Sequence, residues 1–190
     1  MKMLPGMSVI NPCDYNQTKA ATIAIADFDG PVYLRFGRPK VANFTGDNFP
    51  FVFGKALKFF DGNDVTIFAT GHLVWKALEA KKILDEKGIS AEIINIHTIK
   101  PLDVEAVIAS VRKTKSVVTA EEHQMNGGLG DSIAQVLAKH FPAPIEMVAV
   151  NDSFGESGTP EQLLKKYGLD TPNIVQAVEK VIARKQTGDR

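Results

Sequence analysis

With one cysteine, Cys13, the chain has no internal disulfide, and no second Cys or neighbouring His makes a thiolate metal site with it. A free structural thiol is the reading that remains. No apolar run approaches the length of a membrane-spanning helix, and the amino terminus lacks the charged and apolar regions of a signal peptide. A cytoplasmic protein without membrane contact is expected. Neither sign of charge is in excess: Lys and Arg total 22, and so do Asp and Glu. That balance removes the electrostatic footprint of a nucleic-acid or anionic-membrane binder. Nucleotide fingerprints are missing as well. Gly127-Gly128-Leu129-Gly130 does not fit G-x-G-x-x-G with a following acid, and no Lys-Ser or Lys-Thr pair follows at P-loop spacing.

What the chain does contain is regular alternation. At 190 residues and 44% apolar it holds one ordinary domain plus a substantial extra segment. Val65–Thr70, Ala91–His97, Ser116–Ala120 and Ile145–Val150 read as strands, separated by helical patterns over Leu73–Lys87, Asp103–Lys113 and Leu129–Phe141. Such an order predicts an α/β fold: an open, mainly parallel sheet with helices on both faces. Thr159-Pro160-Glu161-Gln162 carries a capping-box start, Gly168 a stop, and Thr171-Pro172 a second start for a helix ending in Arg184 and Lys185. Residues 1–40, with a helix in Pro12–Ala26 and a strand in Val32–Phe36, form a partial α/β segment too small to bury a sheet alone. It is expected to protrude or to be covered by another chain. Residues 41–64 read as a linker whose aromatic stretch Phe49–Phe53 should pack on a domain or a partner, and 65–190 form the regular unit.

One segment has the shape of a site. The strand from Ser116 ends in Glu121-Glu122-His123 and passes through Gly127, Gly128 and Gly130 into a helix. In open α/β sheets ligands gather at the carboxyl ends of strands. Glu121, Glu122 and His123 read either as an acid/base cluster or, the favoured alternative, as interface or structural hydrogen-bonding groups. The glycines equally serve positive φ or close packing. Asp131 would compete with an external anion for the helix start. His97 reads as a satisfied buried histidine, His140 as a cation at a helix end, and Trp75 as packing.

In order along the chain, Pro5-Gly6-Met7, Pro12-Cys13-Asp14 and Gly30-Pro31-Val32-Tyr33-Leu34-Arg35-Phe36-Gly37-Arg38 resemble the end of the pyrimidine-binding domain of transketolase. Thr66–Gly71, His97–Asp103, Glu121-Glu122-His123 with Gly127-Gly128-Leu129-Gly130, Phe154–Gly158 and Tyr167-Gly168-Leu169 resemble its carboxy-terminal domain. His72 departs from the small residue expected after Gly71. The resemblance implies two-carbon ketol transfer between sugar phosphates with thiamin diphosphate and a divalent cation such as Mg2+, in a homodimer. It also implies that the cofactor, its metal and the activating glutamate belong to a missing amino-terminal portion. On that basis this chain alone holds no catalytic, cofactor or metal residue, and its role is structural and dimerising. Gly46-Asp47-Asn48 is similar to the family's metal motif only superficially. Arg38 aligns with the family's sugar-phosphate arginine, and a guanidinium suits a phosphate through its planar fork of donors. Arg35 is the weaker substrate-binding candidate, since strand alternation sets it on the face opposite Arg38. The alternatives are the beta part of a 2-oxoacid dehydrogenase and a non-catalytic α/β interaction domain.

Overall fold

The computed structural model describes residues 1–47 and 49–187; Asn48 lies outside the described residues. Five strands form the larger sheet in the order β3 (Leu57–Phe60), β5 (Ala91–Asn95), β4 (Val65–Ala69), β7 (Val117–Gln124), β8 (Ile145–Val150). All pairings are parallel except β3 with β5. Val65–Ala69 and Val117–Ala120 are therefore direct neighbours, with Ile67 opposite Val118.

The period of two along these strands divides the core into two layers. Ile67, Ala69, Ile93, Val118 and Ala120 point to the side covered by α2 (Leu73–Glu86) and α6 (Thr171–Thr187), where Leu73, Ala77, Ala80, Ile174, Val178 and Val181 meet them. Phe68, Ile94, Ile96 and Val117 point to the other side, against Val107 and Val111 of α3 (Val104–Thr114) and Leu129 and Ile133 of α4 (Leu129–His140). Phe68, Ile67 and Ile93 are fully buried, which contributes about 1.5–3 kcal/mol for each side chain. On the second face a buried carboxylate breaks the apolar pattern. Glu92 accepts from Ser110 and pairs with Lys113 at 2.9 Å, while Ser110 Oγ lies 2.6 Å from Thr66 Oγ1. With its charge paired and hydrogen-bonded, Glu92 escapes the cost of a lone buried ion.

The first forty residues do not protrude. Ser8–Ile10 forms a buried strand, β1, that pairs in parallel with β2 (Val32–Leu34) and antiparallel with β6 (Thr98–Lys100) in a separate three-stranded sheet. The sequence pattern ends a strand at His97. The chain instead runs from β5 through Ile96 and His97 straight into β6, so one extended stretch links both sheets. β3 lies within residues 41–64, and its alternating half-buried and exposed residues suit an edge position. The aromatic stretch also packs within the chain: Phe53 meets Phe28 at 4.5 Å, Phe49 stacks on Phe59 at 5.6 Å, and Phe51 lies 4.5 Å from the His97 ring.

The small helix α1 (Tyr15–Ile25) is started by Asp14, whose carboxylate accepts from Gln17 N–H at 2.9 Å. The same carboxylate accepts from the N–H groups of Phe44 and Thr45 and from the Thr45 hydroxyl. Cys13 is free and buried, and burial pushes its thiol pKa up, which keeps the sulfur protonated. Trp75 packs on Phe44, as expected of a structural aromatic. Thr159 and Gln162 form the capping box of α5 (Pro160–Lys166). Among the described residues no helix is long and apolar enough to cross a membrane.

Burial lowers the His97 pKa from its ordinary value of 6.5 to about 4. An unfolded chain takes up this proton near pH 6.5 and the folded chain does so only near 4, so stability is present above 6.5 and lost as pH falls across that window. The linkage amounts to about 3 kcal/mol. Denaturant unfolding at several pH values between about 7 and about 4 should show this loss in the native protein and much less of it in His97→Gln. Parallel pH profiles for the two proteins would remove His97 as the cause.

Candidate functional site

Glu121 is buried, and its fate is set by the helix that follows. Its carboxylate accepts the N–H groups of Leu129 at 2.7 Å and Gly130 at 2.8 Å, the first free amides of α4. Burial raises its pKa, with the two amide bonds pulling the other way. Glu121 is thus a helix cap supplied from the preceding strand. The glycines make room for it: a Cβ on Gly128 would stand 2.2 Å from Glu121 Oε2, and one on Gly130 would stand 2.7 Å from Met147 Sδ. Gly127 takes the left-handed φ of +80° that the turn requires. Asp131 turns away from the α4 amides to accept from Gly127 N–H at 2.5 Å. His123 is exposed, its Nδ1 2.8 Å from Gln124 O. Glu121, Glu122 and His123 do not converge on one point, because strand alternation sends Glu121 inward and leaves Glu122 at the rim.

The rim belongs to a crevice of about 850 Å³ at the carboxyl ends of strands from both sheets. Its walls come from segments far apart in the chain. Asn11–Tyr15, Arg35–Val41, His72, Glu122, Val150, Gly155, Leu163 and Tyr167 all line it. Arg38 lines it and is exposed; Arg35 lines it and is half-buried. Strand alternation does not separate these two arginines, because β2 stops at Leu34 and the chain beyond it is irregular. Arg35 N–H donates to Ile10 O at 2.8 Å, and its Nη2 donates to the main-chain carbonyl of Glu122 at 2.7 Å. His72 Nδ1 lies 3.7 Å from Glu122 Oε2.

Sequence reasoning did not place Lys40, Tyr15, Thr18 or Tyr167 in this crevice. No local spacing connects them, since they come from segments far apart in the chain that only the fold brings together. For His72 a signal existed in its departure from the small residue expected after Gly71. His140, the last residue of α4, is exposed and does not line the crevice. Among the described residues no group of three or more His, Cys, Asp or Glu side chains comes together as a metal cluster.

The Glu121 cap and the Gly128 contact should be energetically coupled. Gly128→Ala is expected to cost about 1–3 kcal/mol through overpacking, and a smaller amount in a Glu121→Ala background where the clashing carboxylate is gone. A double-mutant cycle by denaturant unfolding reads this directly; additive costs would contradict the contact.

Comparison with known proteins follows the same architecture. Residues 54–174 match the family described as Transketolase, C-terminal domain. The 6-deoxy-6-sulfo-D-fructose transketolase subunit of Clostridium sp. (strain MSTE9) is 44% identical over 97% of this chain and 58% of its own length. An apulose-4-phosphate transketolase subunit of Phocaeicola vulgatus is 37% identical over 92% of this chain and 56% of its own. A solved structure described as a split gene transketolase, inactive beta4 tetramer, superposes with a TM-score of 0.93 at 44% identity, covering 96% of this chain and 60% of that one. The chain therefore spans less than two thirds of the length of these relatives. The match over residues 54–174, more than half of the chain, places it in the transketolase C-terminal domain family.

Proposed function

We propose that this chain is the carboxy-terminal part of a thiamin-diphosphate-dependent transketolase that moves a two-carbon ketol unit between sugar phosphates. The observation that carries the reading is that 92–97% of this chain matches part of proteins named as transketolase subunits and of a split gene transketolase chain. The partner is an amino-terminal polypeptide that supplies the cofactor site. The described residues of this chain do not fit a thiamin diphosphate and metal site of their own. The α4 amides, which would suit a diphosphate, are occupied by Glu121, and no acidic metal cluster is present among them. The complete enzyme is a homodimer of such pairs, consistent with exposed apolar groups such as Tyr15, Ile23 and Phe154.

Within that enzyme Arg38 binds the phosphate end of the sugar. It lines the crevice and is exposed, and among the described residues no carboxylate pairs with it. A charged fork at this position orients the substrate without taking part in bond making. The chemistry of carbanion stabilisation is supplied by the cofactor when bound on the partner.

Mixing the chain with a transketolase amino-terminal subunit from the same organism should produce ketol transfer that neither component shows alone. In the mixed enzyme, Arg38→Ala should weaken transition-state binding of phosphorylated substrates by about 1.5–3 kcal/mol, the range for hydrogen bonds to charged groups. Unphosphorylated substrates should change little. Activity of this chain alone would overturn the subunit reading, and equal losses for both substrate types would remove Arg38 from the phosphate.

A further inference from the structure

The turn between β7 and α4 carries a reactivity that the crevice does not use. Asn126-Gly127 is the one Asn-Gly pair in the chain; each of the other asparagines is followed by proline or by a residue with a side chain. A side-chain amide can be attacked by the main-chain nitrogen of the next residue, and glycine leaves that nitrogen unshielded because it has no Cβ. Asn126 is exposed, and a Cβ on Gly127 would meet no atom within 4 Å beyond its chain neighbours. The approach is open.

In the folded chain the attacking nitrogen is nonetheless held. Gly127 N–H donates to Asp131 Oδ2 at 2.5 Å. Attack requires the nitrogen to give up that proton, and a carboxylate beside it opposes the negative charge that would develop there. Asp131 belongs to the first turn of α4, so the bond lasts only while that turn is formed. The same turn is pinned from two other segments. Glu121 accepts from Leu129 and Gly130 N–H, and Lys2 Nζ donates to Gly128 O at 2.7 Å and to Ser132 Oγ at 2.9 Å.

We propose that Asn126 is a self-modification site and that Asp131 is the latch that keeps it closed while α4 is formed. When the first turn of α4 opens, the Gly127 nitrogen loses its proton to solvent base and bonds to Asn126 Cγ. The Cγ–Nδ2 bond breaks, and the amide nitrogen takes a proton from solvent and leaves as ammonia. Water then opens the five-membered imide at either carbonyl, giving aspartate or, where the main chain is rerouted through the side chain, isoaspartate. No oxidant or reductant is consumed. Isoaspartate lengthens the main chain at residue 126 by a carbon atom, and the turn has no slack for it, since even a Cβ on Gly128 would stand 2.2 Å from Glu121 Oε2. The Glu121 cap is then lost, and the modification becomes a one-way record of how often the turn has opened. The inference goes beyond the subunit reading and does not depend on it.

Incubating the native chain, the chain unfolded in urea and Asp131→Ala at one mildly alkaline pH tests this. The tryptic peptide 116–139 reports Asn126 by the mass gain of amide hydrolysis and by labelling with an isoaspartate-specific methyltransferase. The urea-unfolded chain and a folded Asp131→Ala protein should each react at least about tenfold faster than the native chain, the fold-change of losing a hydrogen bond to a charged group. Asp131→Asn, which keeps a neutral acceptor, should fall between. A second reading needs no variant: the native rate divided by the rate in urea should match the open fraction given by hydrogen exchange of the Gly127 amide. Absence of isoaspartate at Asn126 in urea, or equal rates in the native and folded Asp131→Ala chains, overturns the proposal. So does full exchange protection of the Leu129 and Gly130 amides in the isoaspartate form separated by ion exchange.

Discussion

Asn11 is the residue on which the two halves of the molecule meet. Its N–H donates to His97 O at 2.8 Å, and its carbonyl accepts from Gly71 N–H at 3.2 Å and from the Thr70 hydroxyl at 3.3 Å. One residue thereby ties the exit of β1 to the carboxyl ends of β4 and β5. Gly71 is needed for this approach, since it adopts φ +56° and a Cβ there would stand 2.6 Å from the Asn11 side chain. From Asn11 the chain turns through Cys13 and Asp14 into α1. Gln17 then reaches back to Asn95, its Oε1 accepting from Asn95 Nδ2 at 3.0 Å. β2 pairs directly with β1, and Arg35 N–H bonds to Ile10 O, so the strand that ends at Asn11 also carries the arginine segment.

The consequence is a crevice whose chemistry comes from neither sheet alone. The five-stranded sheet contributes His72 and Glu122 at its strand ends, and the three-stranded sheet contributes Arg35 and Arg38 just beyond β2. Topology explains why charge collects there: strand ends are where an open α/β sheet leaves backbone and side chains unpacked. Buried charge elsewhere is fully engaged, as Glu92 and Glu121 illustrate. Each of those carboxylates fixes a helix, α3 through Ser110 and Lys113 and α4 through its first amides.

Much of the frame was legible in the sequence, and the reason is periodicity. Runs such as Val65–Ala69 are apolar on both faces and alternate with helices of matching length, a pattern that only a doubly covered parallel sheet satisfies. The Glu121 to Gly130 segment was recognisable as special from its acidic strand end and its glycines, whereas the bonds from Glu121 to the first amides of α4 depend on how the turn folds back. Less legible were the short strands β1, β3 and β6, whose three or four residues carry too few positions to show a period. The crevice was legible only in part. Arg35, Arg38 and Glu122 stood out singly, but their sharing of one volume depends on β2 ending at Leu34 and on Asn11 crossing the strand ends, and neither follows from local pattern.

Native-state hydrogen exchange at the amides of Asn11, Arg35 and Ile96 tests the central claim, that the first segment and the larger sheet form one cooperative unit. Asn11 bonds across to His97, Arg35 bonds to Ile10, and Ile96 bonds to Ala69 within the core. If the stitch holds, all three open with the free energy of global unfolding and respond alike to denaturant. Exchange of Asn11 and Arg35 through a low-energy local opening, with Ile96 still protected, would contradict it and leave the crevice without a fixed wall.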